Sequence, residues 1–102
     1  MFIFNTTFLV SDRAHGAWIK WVHENYIPFT MKSGLLTQPQ VTKILSAEEQ
    51  DGTSFSVQFH AVDTTALETW RKQYENDIQK ICFDTFGTEV LSFSTVMEII
   101  SK

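Results

Sequence analysis

Residues 54–61 alternate without a break: Phe55, Val57, Phe59 and Ala61 on one parity, Ser54, Ser56, Gln58 and His60 on the other. Side chains of a strand point to opposite faces in turn, so this stretch reads as a strand with one apolar face and one polar face. A sheet containing it must bury one side against something and leave the other side differently served.

The rest of the chain changes period in a regular order around that strand. Residues 2–10 are aromatic and β-branched, with Phe2, Phe4 and Phe8 on one parity and Ile3, Asn5, Thr7 and Leu9 on the other, and read as the first strand. Ser11 or Asp12 reads as a helix N-cap. Ala14, Ala17, Trp18, Trp21 and Val22 follow at helical spacing, and the helix is expected to run to about residue 32. Pro28 predicts a break or kink near Tyr26-Ile27, and Gly34 suits the left-handed position that closes a helix. Residues 35–46 read as a second strand whose early part is irregular or on a sheet edge, because of Pro39. The polar run Glu48-Glu49-Gln50-Asp51-Gly52 ends in a hairpin signal.

Asp63-Thr64-Thr65 opens a second helix, with Thr65 and Glu68 at capping-box spacing. Leu67, Trp70, Tyr74, Ile78 and Ile81 form its apolar stripe, and Phe86-Gly87 ends it. Residues 89–100 read as a last strand. Trp70 and Phe59 are expected in the core, where the stripes of helix and strand meet.

The order β, α, β, β, α, β is the split-βαβ, ferredoxin-like pattern of an α+β fold. With right-handed crossovers it implies an antiparallel four-stranded sheet ordered 4-1-3-2, with both helices on one face. The 102 residues read as one such domain over residues 1–102. Strand one is expected to run parallel beside strand three, and strand four antiparallel beside strand one.

Two helices cover one face of the sheet and leave the other bare. Phe4 and Phe8 are expected to face the helices, as are Leu91, Phe93 and Met97. The bare face would then carry Asn5, Thr7, Gln58, His60, Ser92, Ser94 and Glu98, with Ile3, Leu9, Val96 and Ile100 around them. A mixed face of this kind suits a partly wet cavity shared by two subunits; a homodimer through the sheet face is therefore expected. A solvated sheet face is the plainer alternative. A small-molecule ligand, if one binds, is expected at Asn5, Gln58, His60 and Ser94, where polar groups converge against apolar walls.

Composition narrows the remaining classes. The net charge is −4 with eight Lys and Arg, and Arg71-Lys72 is the one basic pair, so no nucleic-acid partner is expected. The one cysteine, Cys82, cannot form an internal disulfide, so nothing suggests a secreted, oxidising compartment, and the cytoplasm is the default expectation. The N-terminus lacks the basic and long apolar regions of a signal peptide, and no apolar run approaches a membrane span. No membrane association is expected.

Among candidates for chemistry, His60 is the strongest, as an acid or base near neutrality; no carboxylate near it in sequence orients it, and Glu98, expected on the same face, is separated from it by strand one. Its plain reading is a polar sheet residue in a wet interface. Asn5 reads as a donor to a bound oxyanion or dioxygen, or as a strand Asn paired with a neighbour. His15 and His23 are eight apart, and His23-Glu24 lacks the second His of a zinc helix, so no metal is expected. His23 reads as solvated rather than as a haem ligand. Trp18 and Trp21 read as packing, and Cys82 as a small buried residue. The four glycines are isolated, so there is no phosphate loop and no cofactor is expected.

The chain also resembles a known family. The runs Asn5-Thr6-Thr7, Trp18-Ile19-Lys20-Trp21, Tyr26-Ile27-Pro28 and Gly34-Leu35-Leu36 carry the likeness. Val57-Gln58-Phe59, Tyr74, Phe86-Gly87 and Thr95-Val96-Met97-Glu98 extend it over essentially the whole chain. These are similar to a family of short bacterial proteins, a domain of unknown function that looks like the dimeric α/β-barrel superfamily. The resemblance implies a ferredoxin-like subunit and sheet-to-sheet dimers. It implies no single activity, since that superfamily includes cofactor-independent monooxygenases, small isomerases, haem-degrading enzymes and pure ligand-binding modules. The family often carries His where this chain has Tyr26, and Arg where it has Ser94.

Whether the protein is an enzyme is left open by the sequence. One reading is a homodimeric ligand-binding or regulatory domain without chemistry. The other is a cofactor-independent cavity enzyme, monooxygenase- or isomerase-like, acting on a small hydrophobic molecule.

Overall fold

The structure, a computed structural model, describes residues 1–45 and 52–102. Four strands, β1 (Phe2–Val10), β2 (Thr37–Lys43), β3 (Thr53–Ala61) and β4 (Val90–Glu98), form one sheet in the order β2-β3-β1-β4. Helix α1 comprises His15–Trp21, a π-helical turn Val22–Tyr26, and Ile27–Met31. Helix α2 comprises Thr64–Trp70, a second π-helical turn Arg71–Glu75, and Asn76–Phe86. This is the ferredoxin-like α+β fold that the order of periods implies.

All three strand pairs are antiparallel. β1 therefore does not run parallel to β3, contrary to the expectation. The crossover helix makes β2 parallel to β1, and β3 turns back from β2 into the gap between them. Asn5 consequently lies directly opposite Gln58, and Phe4 opposite Phe59.

The helix-facing side of the sheet presents Phe4, Phe8, Val10, Phe55, Val57 and Phe59, all buried. Trp18 lies 4.8 Å from Phe55 and 5.2 Å from Phe8 between ring centroids. Trp70 lies 5.4 Å from Phe4 and donates from Nε1 to the Thr30 carbonyl at 3.1 Å. That bond ties α2 to the end of α1. Trp18, Trp21 and Cys82 are buried as expected, and so are Phe59 and Trp70.

The ends of the helices differ in detail from the sequence expectation. Ser11 accepts from the Ala14 amide at 3.2 Å, but the helix proper begins at His15, a turn later. In α2 the cap is Asp63, which accepts from the Ala66 amide at 2.8 Å; Thr65 is already inside the first turn, so no Thr65–Glu68 capping box forms. A carboxylate one residue before the helix outcompetes a hydroxyl within it.

Pro28 does not break α1. The helix absorbs it in the π-helical turn just ahead, where the Ile27 amide bonds the Val22 carbonyl five residues back. An inserted residue of this kind is a recognised way to accommodate a proline. The turn at Arg71–Glu75 has a different consequence. It advances the helix by about one residue, so the stripe Leu67, Trp70 and Ile78 continues into buried Cys82, and Ile81 is 41% exposed.

β2 is an edge strand, and its register shifts between Thr37 and Gln40, across Pro39. Gly34 (φ 78) closes α1, its amide reaching the Met31 carbonyl at 3.0 Å. The expected hairpin turn at Glu48–Asp51 lies outside the described residues. Its last residue, Gly52, has φ 152, and a Cβ there would collide with the Val10 carbonyl oxygen and stand 3.2 Å from Ser11 Cα. Gly52→Ala is expected to lower stability by more than about 1 kcal/mol. A thermal melt checks this, and an unchanged midpoint would mean that this strand end is not held against β1.

Candidate functional site

Pairing register decides which side of the sheet each strand residue takes, because directly opposed residues share a face. Asn5, Gln58 and His60 do lie together on the side without helices. Asn5 is buried; its Nδ2 donates to Thr7 Oγ1 at 3.1 Å, and its Oδ1 accepts from the Ser56 hydroxyl. His60 is half-buried opposite Ile3 and Thr37, and no hydrogen-bond partner reaches its Nδ1 among the described residues.

β4 has the opposite parity from the one expected. Ser92 opposes Phe8, Ser94 opposes Thr6, Val96 opposes Phe4 and Glu98 opposes Phe2, so this set faces the helix layer. Leu91, Phe93, Thr95 and Met97 oppose Leu9, Thr7, Asn5 and Ile3 on the bare side. Ser94 is therefore not beside Asn5, Gln58 and His60, and Glu98 does not share a face with His60. Phe93 is 65% exposed and Leu91 55%. β4 is an edge strand that the helices cover only in part, and its larger apolar side chains point away from them.

Ser92 and Ser94 instead line a narrow cleft between β4 and the helices. Its inner walls are Phe4, Phe8, Trp21 and Trp70; Tyr26 and Thr6 close its depth; Glu75, Ile78, Gln79 and Cys82 come from α2. The free space is about 20 Å³, about the room one water needs. A wider recess of about 290 Å³ adjoins it, sharing Gln79, Cys82 and Ser92 and adding Phe83, Val90 and Leu91.

Three hydroxyls run in line through the cleft. Tyr26 donates to Thr6 Oγ1 at 3.4 Å, and Thr6 Oγ1 lies 3.0 Å from Ser94 Oγ. Glu75 is held at the wall by Arg71, whose Nε and Nη2 reach its two oxygens at 2.9 and 3.4 Å. The Arg71 guanidinium is braced in turn 5.3 Å from the Phe4 ring centroid. Tyr26 and Glu75 each end one of the two π-helical turns, a feature often found at functional sites.

Burial pushes the Tyr26 hydroxyl up to about 12; the Thr6 hydrogen bond opposes this and the Glu75 charge adds to it. Burial alone pushes the Cys82 thiol up to about 11. Neither group loses its proton near neutrality, so neither is a ready base or nucleophile. The Tyr26 shift has a consequence for stability. Unfolded tyrosine ionises near 10, before the folded protein does, so the unfolded state binds fewer protons between pH 10 and 12 and stability falls as pH rises through that window. The loss is roughly 2–3 kcal/mol for a shift of this size. Tyr26→Phe is expected to remove that part of the alkaline loss, read from urea midpoints at pH 8, 10 and 11. Identical pH profiles for the two proteins would refute it.

The sequence reading missed Tyr26, Thr6, Ser92 and Glu75 as members of one site. One signal was present: Thr6 is the lone hydroxyl in the helix-facing series Phe2, Phe4, Thr6, Phe8, Val10. Of the histidines, His15 stacks on Phe55 at 5.3 Å and His23 is exposed. Among the described residues no three His, Cys, Asp or Glu stand close enough together to hold a metal, and no helix is long and apolar enough to cross a membrane.

Known structures share this fold. A dimeric ferredoxin-like protein from an uncultured marine organism superposes with a TM-score of 0.74 at 14% identity, over 99% of this chain and 95% of the other. MhuD, in a variant with two manganese protoporphyrin IX bound per active site, gives 0.69 at 14%, over 100% and 97%. A Deinococcus radiodurans protein, named as a candidate antibiotic biosynthesis monooxygenase, gives 0.67 at 17%, over 100% and 95%. At such identities the likeness concerns the fold alone. No curated protein matches the chain. The model of one family, described as "Domain of unknown function (DUF4286)", matches residues 1–100, and the chain belongs to that family.

Proposed function

We propose that the protein is a homodimeric small-molecule-binding domain, with two copies packed sheet to sheet and, in each, a ligand site made of the cleft between the helix layer and β4 and the wider recess that adjoins it. One observation carries this reading: the two sides of β4 have opposite characters. Leu91, Phe93 and Met97 are exposed on the side without helices, where apolar residues gain from a partner surface. Ser92 and Ser94 look into an aromatic cleft, joined through Thr6 to Tyr26. Apolar walls with a few convergent polar groups are the common make-up of ligand sites.

The dimeric state of a protein of this fold supports the pairing, and the porphyrin held by MhuD shows that the fold can serve a ligand. In the dimer, Asn5, Gln58 and His60 would lie between the two sheets, so a ligand contacting them would be enclosed by both copies. Buried, unpaired Cys82 agrees with a cytoplasmic setting.

Binding is favoured over catalysis because Tyr26 and Cys82 hold their protons well above neutrality and His60 lies on the other side of the sheet from the cleft. The enzyme reading, a cofactor-independent reaction on a small hydrophobic molecule, would have to draw on Glu75 or on His60 at the interface.

Light scattering at high micromolar concentration is expected to give twice the 11.8 kDa chain mass. A fragment titration followed by NMR is expected to shift the Thr6, Gln79 and Ser94 amides. A monomer would sink the dimer, and binders that perturb only Asn5, Gln58 and His60 would move the site to the bare face.

A further inference from the structure

We infer that Glu75 gives the cleft a charge preference: it admits uncharged or amine-bearing aromatic ligands and rejects carboxylates. The inference rests on the cleft being the ligand site, as proposed above.

Glu75 is the one ionisable wall residue carrying charge, since the described linings of the cleft and its adjoining recess contain no Lys, Arg, His or Asp. Its side chain is 14% exposed, whereas that of Arg71 is 40% exposed. The carboxylate thus stands on the aromatic side, and its counter-ion stands toward water, where its field is screened. Both guanidinium contacts go to Glu75, and the Phe4 ring fixes the group in place, so Arg71 cannot turn to meet an incoming anion without breaking that pair. Tyr26 and Cys82, the other acidic groups at the cleft, stay neutral and add no charge.

A carboxylate reaching from the adjoining recess of about 290 Å³ toward the narrow cleft would lose its water against apolar walls, meet no cation but the guanidinium already paired with Glu75, and face a like charge. An O–H or N–H donor meets the reverse situation. Each Glu75 oxygen has a lone pair beyond its bond to Arg71, and a charged acceptor makes the stronger kind of hydrogen bond. With Thr6 as the donor of their shared hydrogen bond, the Ser94 hydroxyl is left to serve an uncharged acceptor on the same ligand.

The test is an NMR titration of the full chain with three probes of one shape: 4-methylphenol, 4-methylbenzylamine and 4-methylbenzoate. The phenol and the amine are expected to shift Thr6, Gln79 and Ser94 with dissociation constants at least tenfold below that of the benzoate. Glu75→Gln is expected to shrink this gap to within about threefold, with the fold checked by circular dichroism. Benzoate binding to the native protein as tightly as the phenol would overturn the inference, and that comparison needs no variant. So would a gap that Glu75→Gln leaves unchanged. If none of the three probes shifts the cleft residues, the reading of the cleft as a ligand site fails and the charge preference falls with it.

Discussion

Trp70→Ala is expected to destabilise the fold by about 3–5 kcal/mol, the range for truncating a large buried aromatic. Trp70 is fully buried, packs on Phe4 and Tyr74, and holds the Thr30 carbonyl through its indole N–H. Alanine leaves both a cavity between α2 and the sheet and a buried carbonyl without its donor. Domains of this size are stable by only about 5–15 kcal/mol, so the variant is expected to unfold early in urea. Trp70→Phe separates the two contributions. It keeps most of the ring volume and loses the N–H, and should cost about 1–3 kcal/mol. Urea unfolding at one fixed protein concentration measures both, since a dimer's apparent stability depends on concentration. A loss for alanine within about 0.5 kcal/mol, typical of surface positions, would place Trp70 outside the core.

Phe93→Asp is expected to abolish the dimer and leave the folded subunit intact. Phe93 stands opposite Thr7 on the side of the sheet without helices and is 65% exposed, so the subunit loses little core when it changes. In a sheet-to-sheet dimer the same position would be buried in both copies. An unpaired buried charge costs about 3 kcal/mol or more, and twofold symmetry counts it twice. Dimer affinity should therefore fall on the order of ten-thousandfold. The expected result is a subunit of one chain mass with an unchanged circular dichroism spectrum. A Phe93→Asp protein that still scatters as a dimer at micromolar concentration would show that the two copies meet elsewhere.

Most of the fold was legible because its elements, apart from the irregular β2 with Pro39, carried their own local patterns. The alternation of residues 54–61 identified β3, the stripe Leu67, Trp70, Ile78 identified α2, and Gly34 and Gly87 marked helix ends at positive φ. The sense of β1 beside β3 was misjudged, although the order of the strands along the chain already determines it.

The sidedness of β4 was a different matter. The rule that larger apolar residues face the helices holds for β1 and β3, which lie inside the sheet and under the helix layer. On the edge strand β4 the helices leave a cleft, and hydroxyls occupy that side while Phe93, Leu91 and Met97 take the other. Nothing in the spacing of residues 90–98 says which of two partly apolar parities meets a helix, because both recur every second residue; the pairing of Ser94 with Thr6 decides it. The same holds for the two π-helical turns. A single inserted residue costs little in local propensity, so the sequence around Tyr26 and Glu75 does not announce it. In α2 it nonetheless rotates the remainder of the helix and exchanges Ile81 for Cys82 in the buried face. Local patterning thus determined which segments are strands and helices and in what order they stack. Only the tertiary pairing decided that Tyr26, Thr6, Ser94 and Glu75 share one cleft, because their approach depends on strand register and helix phase, which are set by contacts between segments far apart in the chain.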